Sequence, residues 1–410
     1  MELVEDIVIV GAGIAGLATA LGLHRKGVKS LVLESSPTLR TSGYAIGTWT
    51  NAWHALDALG IGNKVREHHR LVERECLMHF SELASCSGMV VVLSASSGAT
   101  SAELKLKGLQ GKTGKHEFRS VRRDSLVEIL AKELPKDTIR YSSKVVLIED
   151  DGNPKLLHLA DGSIIKAKVA VGCDGIYSAV AKCIGLKEPS FSGRLSTRGY
   201  AEYPTNHGFK PEFVVITGGG IRIGMLPNSE RSIYWFFTWR PSKKDKVQQS
   251  MENMREFVIQ KLTSLKVPNE IIQVIERSEM SQVFSTELKY RSPFSLLFGR
   301  IIKGNVCVIG DALHPMTPDI GQGGCMALED SVILARYLSD AVYKGKIEEG
   351  LEKFANDRRW RCAEVVARAY IVGFIQQSSN WLLSFLREKV FARTLARALL
   401  KTPDYDCGKL

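Results

Sequence analysis

Residues 6–36 read DIVIVGAGIAGLATALGLHRKGVKSLVLESS. The β-branched run Ile7–Val10 marks a strand buried on both faces. Gly11, Gly13 and Gly16 follow as GxGxxG, then small and apolar residues at helical spacing, then a second apolar run that ends on Glu34. Each part has a physical task in holding a dinucleotide. Gly11 makes a tight turn, Gly13 lets backbone approach a pyrophosphate, and Gly16 lets the helix lie close on the strand. The helix start offers bare N–H groups and a positive dipole end to phosphate. Glu34 stands where a carboxylate accepts from the hydroxyls of an unphosphorylated ribose, which favours FAD or NAD over NADP.

Outward from this stretch, only one such fingerprint occurs. Residues 217–224, TGGGIRIG, are glycine-rich but lack the spacing and open no helix. Two later segments carry chemistry. AKVAVGCDGIYSAVAKCIG (167–185) is a β-rich run into Asp174-Gly175 and then a helix; on its own, this is also what a turn ending a strand looks like. NVCVIGDALHPMTPDIGQGGCMALEDSVILA (305–335) is less ambiguous. Asp311 leaves a strand end, Pro315 and Pro318 stiffen a loop, and Gly321, Gly323 and Gly324 bare the backbone. A helix starting near Cys325 aims its positive end at the same place.

These three motifs in this order resemble the group A, p-hydroxybenzoate-hydroxylase-type FAD-dependent monooxygenases. GQGGCMALEDS (321–331) is especially similar to salicylate-hydroxylase-like enzymes, zeaxanthin epoxidase and the small plant monooxygenases of that group. VRRDSLVEIL (121–130) matches the family's Arg-x-x-Leu helix, and RTSGYAIGTWTNAWHALDALG (40–60) its flavin-covering loop and helix. The likeness spans nearly the whole chain. It implies an α/β fold in which a Rossmann-like FAD-binding domain (1–75, 115–187, 290–345) interleaves with a substrate-binding β-sheet domain (76–114, 188–289), followed by a C-terminal helical region (346–410).

The resemblance also implies site roles. Asp311 holds the ribityl chain, and Pro318 with the Gly321, Gly323, Gly324 and Cys325 backbone lines the flavin's pyrimidine edge. Arg123, Ile14, Ala15, Ser35, Arg40, Gly47 and Val145 contact FAD. Asp174 and Gly175 help bind both FAD and a transiently docked NADPH or NADH. The implied chemistry is insertion of one oxygen atom from O2 through a flavin C4a-hydroperoxide. Small aromatic, phenolic substrates come first; alkene epoxidation of the zeaxanthin epoxidase type is the alternative, and a non-catalytic FAD scaffold or sensor the reading from another class.

For the substrate, GIRIGMLPNSERSIYWFFTW (220–239) reads as a hairpin around Pro227-Asn228-Ser229. Alternation places Trp235 and Phe237 on one face and Tyr234 and Phe236 on the other. Trp235, Phe237, Pro318 and Arg198 are the candidate substrate or flavin contacts; core packing competes for the aromatics, and surface solvation for Arg198. No catalytic residue is assigned. His314 is expected to pack and to hydrogen-bond within its loop, and Cys325 has no base nearby in sequence to make it a nucleophile.

Bulk properties bound the rest. The chain has 410 residues, 44% hydrophobic and 24% charged, with net charge +11 and mean hydropathy −0.04. These describe a globular chain large enough for one big core or two fused ones. No finger spacing, RNA-binding aromatic signature or long basic arm accompanies the charge, so nucleic acid is not expected as a partner. Eight cysteines without CxxC or metal-ligand spacing suit a reducing, cytoplasmic setting, with no metal. The apolar stripe of 369–401 (Ile371, Phe374, Ile375, Leu382, Phe385, Leu386) is too interrupted to span a bilayer. It is expected to dock on the core or a second subunit, as monomer or homodimer, with peripheral membrane contact as the other role.

Overall fold

The computed structural model describes residues 4–40, 45–69, 74–79, 102–105, 110–149, 152–218, 220–241, 251–265, 267–279, 283–377 and 400–410, with backbone alone for 74–79, 102–105 and 251–253. Much of 76–118, and Leu382, Phe385 and Leu386, fall outside them. The strand Val4–Val10, buried from Ile7 onward, forms the centre of a sheet, pairing in parallel with Leu31–Leu33 on one side and Ile164–Gly172 on the other. Parallel pairing continues to Val306–Val308 and to Ile139–Arg140. Strands Val145–Glu149 and Lys155–Leu159 branch antiparallel from Ile164–Gly172. The helix Ile14–Arg25 crosses between the first two strands, and its buried side packs on the long helix Gly323–Lys344. All three sequence motifs therefore leave carboxyl ends of adjacent parallel strands, where α/β sheets place their ligands.

The second sheet is built in the order Phe284–Tyr290, Ser190–Glu202, Ser232–Trp239, Ile221–Pro227, Glu212–Gly218, Arg74–His79, Ala102–Lys105. The hairpin expected around Pro227-Asn228-Ser229 joins two of these strands, closed by Asn228 N–H to Ser232 O at 2.9 Å. Of TGGGIRIG, Thr217 and Gly218 end the strand Glu212–Gly218 and pair antiparallel with Arg222 and Ile221, which open the strand Ile221–Pro227. One face of this sheet carries a core of its own: Ile223, Trp235, Phe237 and Trp239 pack with Val258, Leu262, Ile271 and Ile275 from the helices Met251–Ser264 and Asn269–Glu276. The opposite face looks toward the first sheet.

The helix Ile347–Gln376 packs along the helix Gly323–Lys344, and residues 400–410 return to these two helices. Arg336 Nη1 donates to the carbonyls of Cys407 and Lys409, and Arg361 Nη2 to that of Thr402. Among the described residues no helix is long and apolar enough to cross a membrane. Cys173, Cys183, Cys307, Cys325, Cys362 and Cys407 are all free thiols.

Candidate FAD and substrate site

Gly11 adopts φ +105°, and a Cβ there would sit 2.5 Å from the Cys173 carbonyl oxygen. At Gly16 a Cβ would fall 1.9 Å from the Gly11 oxygen, so strand and helix meet only because both positions are bare. Gly13 precedes the helix with open space before it and no side-chain cap. Free N–H groups facing an open volume are what a pyrophosphate needs.

Glu34 is buried, with its carboxylate fixed by Ala12 N–H and Ser36 N–H at 2.9 Å each. Ser35 Oγ donates to it at 3.2 Å, and Arg40 Nη2 lies 3.0 Å away. Arg123, the first residue of the helix Arg123–Lys132, donates to the Arg40 carbonyl at 3.0 Å. Burial, and then the charge of Arg40, press its pKa below the ordinary guanidinium value. Val145 opens its strand close by, where Ser143 N–H donates to Glu34 O at 2.7 Å. Asp174 lies against Gly11, but its carboxylate accepts from Ser178 Oγ, Ala179 N–H and Val180 N–H, capping a short helix. Neither Asp174 nor Gly175 lines the cavity described next.

That cavity, of about 460 Å³, lies between the two sheets. Ile14, Gly47, Arg123, Arg198 and Asp311 line it, together with Pro318, Gly321, Gly323 and Gly324. Asp311 sits on the 3-10 turn Gly310–Ala312, open to the lumen yet deep in the protein. Burial raises its pKa above the usual carboxylate value; His314, Arg198 and Arg123 act the other way. The helix Gly323–Lys344 begins at the cavity wall, again with no side-chain cap. Two uncapped helix starts, one at each motif, and a carboxylate between them fit a dinucleotide whose phosphates lie at Gly13 and whose ring lies at Gly323. Cys325 is buried with Sγ near the carbonyls of Gly47 and Gly321, at 3.5 and 3.6 Å. Burial pushes its thiol up to about 12, which leaves it no nucleophile.

A charge network beneath this wall fixes the loop. Asp330 accepts from Gly310 N–H at 2.9 Å, from His314 Nε2 at 2.6 Å and from Arg358 Nε at 2.7 Å. Glu329 accepts from Arg358, Arg361 and Asn51, at 2.8, 2.8 and 2.5 Å. His314 is packed as expected, but its ring ties the loop to Asp330 on the helix Gly323–Lys344 while only its backbone N–H bonds within the loop, and its side chain does not reach the cavity.

Two expectations need correction. Trp235 and Phe237 do not face the cavity; both are fully buried on the far side of the sheet, where Trp235 Nε1 donates to Ser278 Oγ at 2.6 Å. The strand is apolar on both faces, so alternation defines two sets without saying which one meets the helices. The cavity takes the other set, Tyr234 and Phe236, joined by Phe213, Phe118 and Trp49. Neighbouring rings of this wall lie 4.4 to 6.3 Å apart, centroid to centroid. Sequence reasoning also missed Arg222 and Asp319. The signal lay in strand parity: Arg222 and Gly224 alternate with the apolar Ile223 and Met225, and a charged residue in a two-faced sheet belongs on the wet side.

The comparisons agree with the fold and with FAD as cofactor. A family model described as FAD binding domain matches residues 5–369. Monooxygenase 2 of Arabidopsis thaliana is 45% identical, over 99% of this chain and 98% of its own length. Monooxygenase 1 of the same plant is 33% identical over 98% and 99%. The crystal structure of Klebsiella pneumoniae HpxO complexed with FAD and uric acid superposes with a TM-score of 0.81 at 22% identity, covering 98% of each chain. With a matching family model along most of its length and a dinucleotide cradle opening onto an aromatic chamber, this chain belongs to the FAD-dependent monooxygenase family.

Proposed function

We propose that the protein hydroxylates a small planar aromatic, phenolic substrate, with O2 as oxidant and NADPH or NADH as reductant. One observation carries this: the wall that would face the flavin ring is aromatic, and the same cavity holds Asp311 and the helix start at Gly323. Bound FAD supplies the electron transfer and oxygen activation that side chains cannot. The protein contributes orientation, dryness and charge. Asp311 would accept from the ribityl hydroxyls, and the N–H groups at Gly323 and Gly324 would stabilise negative charge gathering on the ring on reduction. Trp49, Phe118, Phe213 and Phe236 exclude water and hold a flat guest by its faces. Tyr234 also lines the cavity, and its burial raises the phenol pKa, so it remains a neutral hydroxyl. No histidine or cysteine occurs among the described lining residues. The uric acid in the HpxO structure, a planar ring in a related fold, supports a flat guest here.

The single fingerprint supports a reductant that docks transiently, with reduction gated by substrate. The test is to load the protein with FAD and screen a phenolic library for ligand-stimulated NAD(P)H oxidation, with mass and NMR analysis of products. A phenol gaining one oxygen on the ring is the expected result. Peroxide without oxygenated product from every ligand would overturn the assignment, and an epoxide from an alkene would redirect it.

A further inference from the structure

We propose that Asp319 is a positioning residue for the flavin: through Arg194 and Arg222 it clamps the turn Pro318–Gly321 to the second sheet, and so fixes how the ring seats against the helix start at Gly323. This goes beyond the hydroxylase reading, holds whatever the guest is, and needs only the FAD site described above.

Pro318–Ile320 is a single 3-10 turn, closed by Gly321 N–H to the Pro318 carbonyl at 3.2 Å and left through Gly321 at φ +61°. So short a turn, with the weak bond geometry of its class, does not fix its own place. Asp319 supplies the hold. Its side chain is inaccessible to solvent, so what it shows the cavity is main chain. Arg194, on Ser190–Glu202, grips both carboxylate oxygens, Nη1 to Oδ1 at 2.9 Å and Nη2 to Oδ2 at 2.7 Å. Arg222, on Ile221–Pro227, adds Nη1 to Oδ1 at 3.1 Å and reaches the Asp319 carbonyl with Nη2 at 3.3 Å. Anchored at the carboxylate and at the main chain, the residue can neither rotate its side chain nor tilt its peptide.

The strands that carry Arg194 and Arg222 flank Ser232–Trp239, the strand of Tyr234 and Phe236, so the turn takes its bearings from the sheet that forms the aromatic wall. The other end of the loop is held by the same sheet. Arg291, which follows the strand Phe284–Tyr290, donates from Nε to the Leu313 carbonyl at 2.8 Å and from Nη2 to that of Ala312 at 3.0 Å. From behind, Gly373 of the helix Ile347–Gln376 closes on the pair: a Cβ there would come 2.1 Å from Asp319 Oδ2 and 2.6 Å from Arg194 Nη1. Burying such a network stabilises a fold little against apolar packing, because desolvation offsets the attraction. What it supplies is a single geometry. The helix Gly323–Lys344 is fixed from below by the Asp330 network and the turn from above by Asp319, and the ring lies in the gap that the two define.

The test reads the midpoint potential of bound FAD and its dissociation constant in Asp319→Asn, Arg222→Met and Gly373→Ala, against wild type. Side chains that act on the flavin only as charges would shift the potential in opposite directions, up for Asp319→Asn and down for Arg222→Met. Gly373→Ala changes no charge and would then shift nothing. A displaced turn instead moves the ring off the helix start, which stabilises the negative charge of the reduced flavin, so all three variants are expected to lower the potential. Each should also weaken FAD by about tenfold, roughly the worth of one hydrogen bond. Opposite shifts in the two charge variants, or wild-type potential and affinity in Gly373→Ala, would overturn the proposal, even where the melting temperature falls. If Asp319→Asn does not fold, Gly373→Ala decides alone: alanine is the better helix former, and the position lies outside the cavity lining.

Discussion

Replacing Arg358 by Met keeps the bulk of a fully buried side chain and deletes its charge. In the native protein Arg358 bonds Asp330 at 2.7 Å and Glu329 at 2.8 Å, all three inaccessible to solvent. Breaking a buried pair by removing one partner costs about 3–5 kcal/mol, because the other charge stays behind. Here two carboxylates stay behind, but neither is abandoned. Glu329 keeps Arg361 and Asn51, and Asp330 keeps His314 and the Gly310 N–H. The lower end of the range, about 3 kcal/mol, is therefore expected at pH 7, roughly a 150-fold change in the folded-to-unfolded ratio. The pH dependence follows from the native carboxyls. Burial pushes Asp330 and Glu329 up, but His314 and Arg358 at the first, and Arg361 and Arg358 at the second, outweigh it and hold both below their usual values. A depressed native pKa contributes stability that is present above the unfolded value, near pH 4, and is lost as pH falls through the native one. The variant should thus lose most at neutral pH and approach wild type in acid. Urea unfolding at a series of pH values, with protein fluorescence and circular dichroism compared for coincidence, reads this directly. A loss below about 0.5 kcal/mol at pH 7 would refute the account. So would a triple variant, Arg358→Met with Glu329→Gln and Asp330→Asn, no more stable than the single one.

Asp311→Ala should weaken FAD binding by about 1–3 kcal/mol, measured by titration of the FAD-free protein; unchanged affinity would remove Asp311 from the cofactor site. Cys325→Ser should retain turnover, and the native thiol should resist alkylation at pH 8, since burial holds it near 12; rapid labelling at Cys325 would contradict that environment. Gly224→Ala should displace the Phe236 ring and weaken aromatic ligands while FAD content, read from the visible spectrum, stays at wild-type level. Loss of FAD together with ligand would mean that the two ends of the cavity are not separable.

The nucleotide end of the site could be read from the sequence because its requirements are local. A turn, a close helix contact and a terminal carboxylate all fall within residues 11–34, and each constrains residue type. Asp311 and the glycines after it were legible for the same reason. The aromatic end is a property of pairing. Whether Trp235 or Phe236 meets the cavity depends on which face the helices Met251–Ser264 and Asn269–Glu276 cover, and the strand itself, apolar on both faces, does not state that; the hint lies in the parity of Arg222 on the neighbouring strand. Asp319 was hidden inside a motif whose glycines and prolines drew attention first, and its partners Arg194 and Arg222 are 125 and 97 residues away.

The roof strand Ser232–Trp239 has a consequence for how such enzymes diverge. Its even-numbered residues Tyr234 and Phe236 line the cavity, while the odd-numbered Ile233, Trp235, Phe237 and Trp239 anchor a separate hydrophobic core. Guest preference and foldedness are thereby written into alternate letters of one short word. Saturation libraries confined to positions 234 and 236 should yield many soluble proteins with altered ligand profiles, whereas libraries at 235 and 237 should yield mostly insoluble ones. A lineage can explore new chemistry along one parity of this strand without disturbing the scaffold that the other parity maintains.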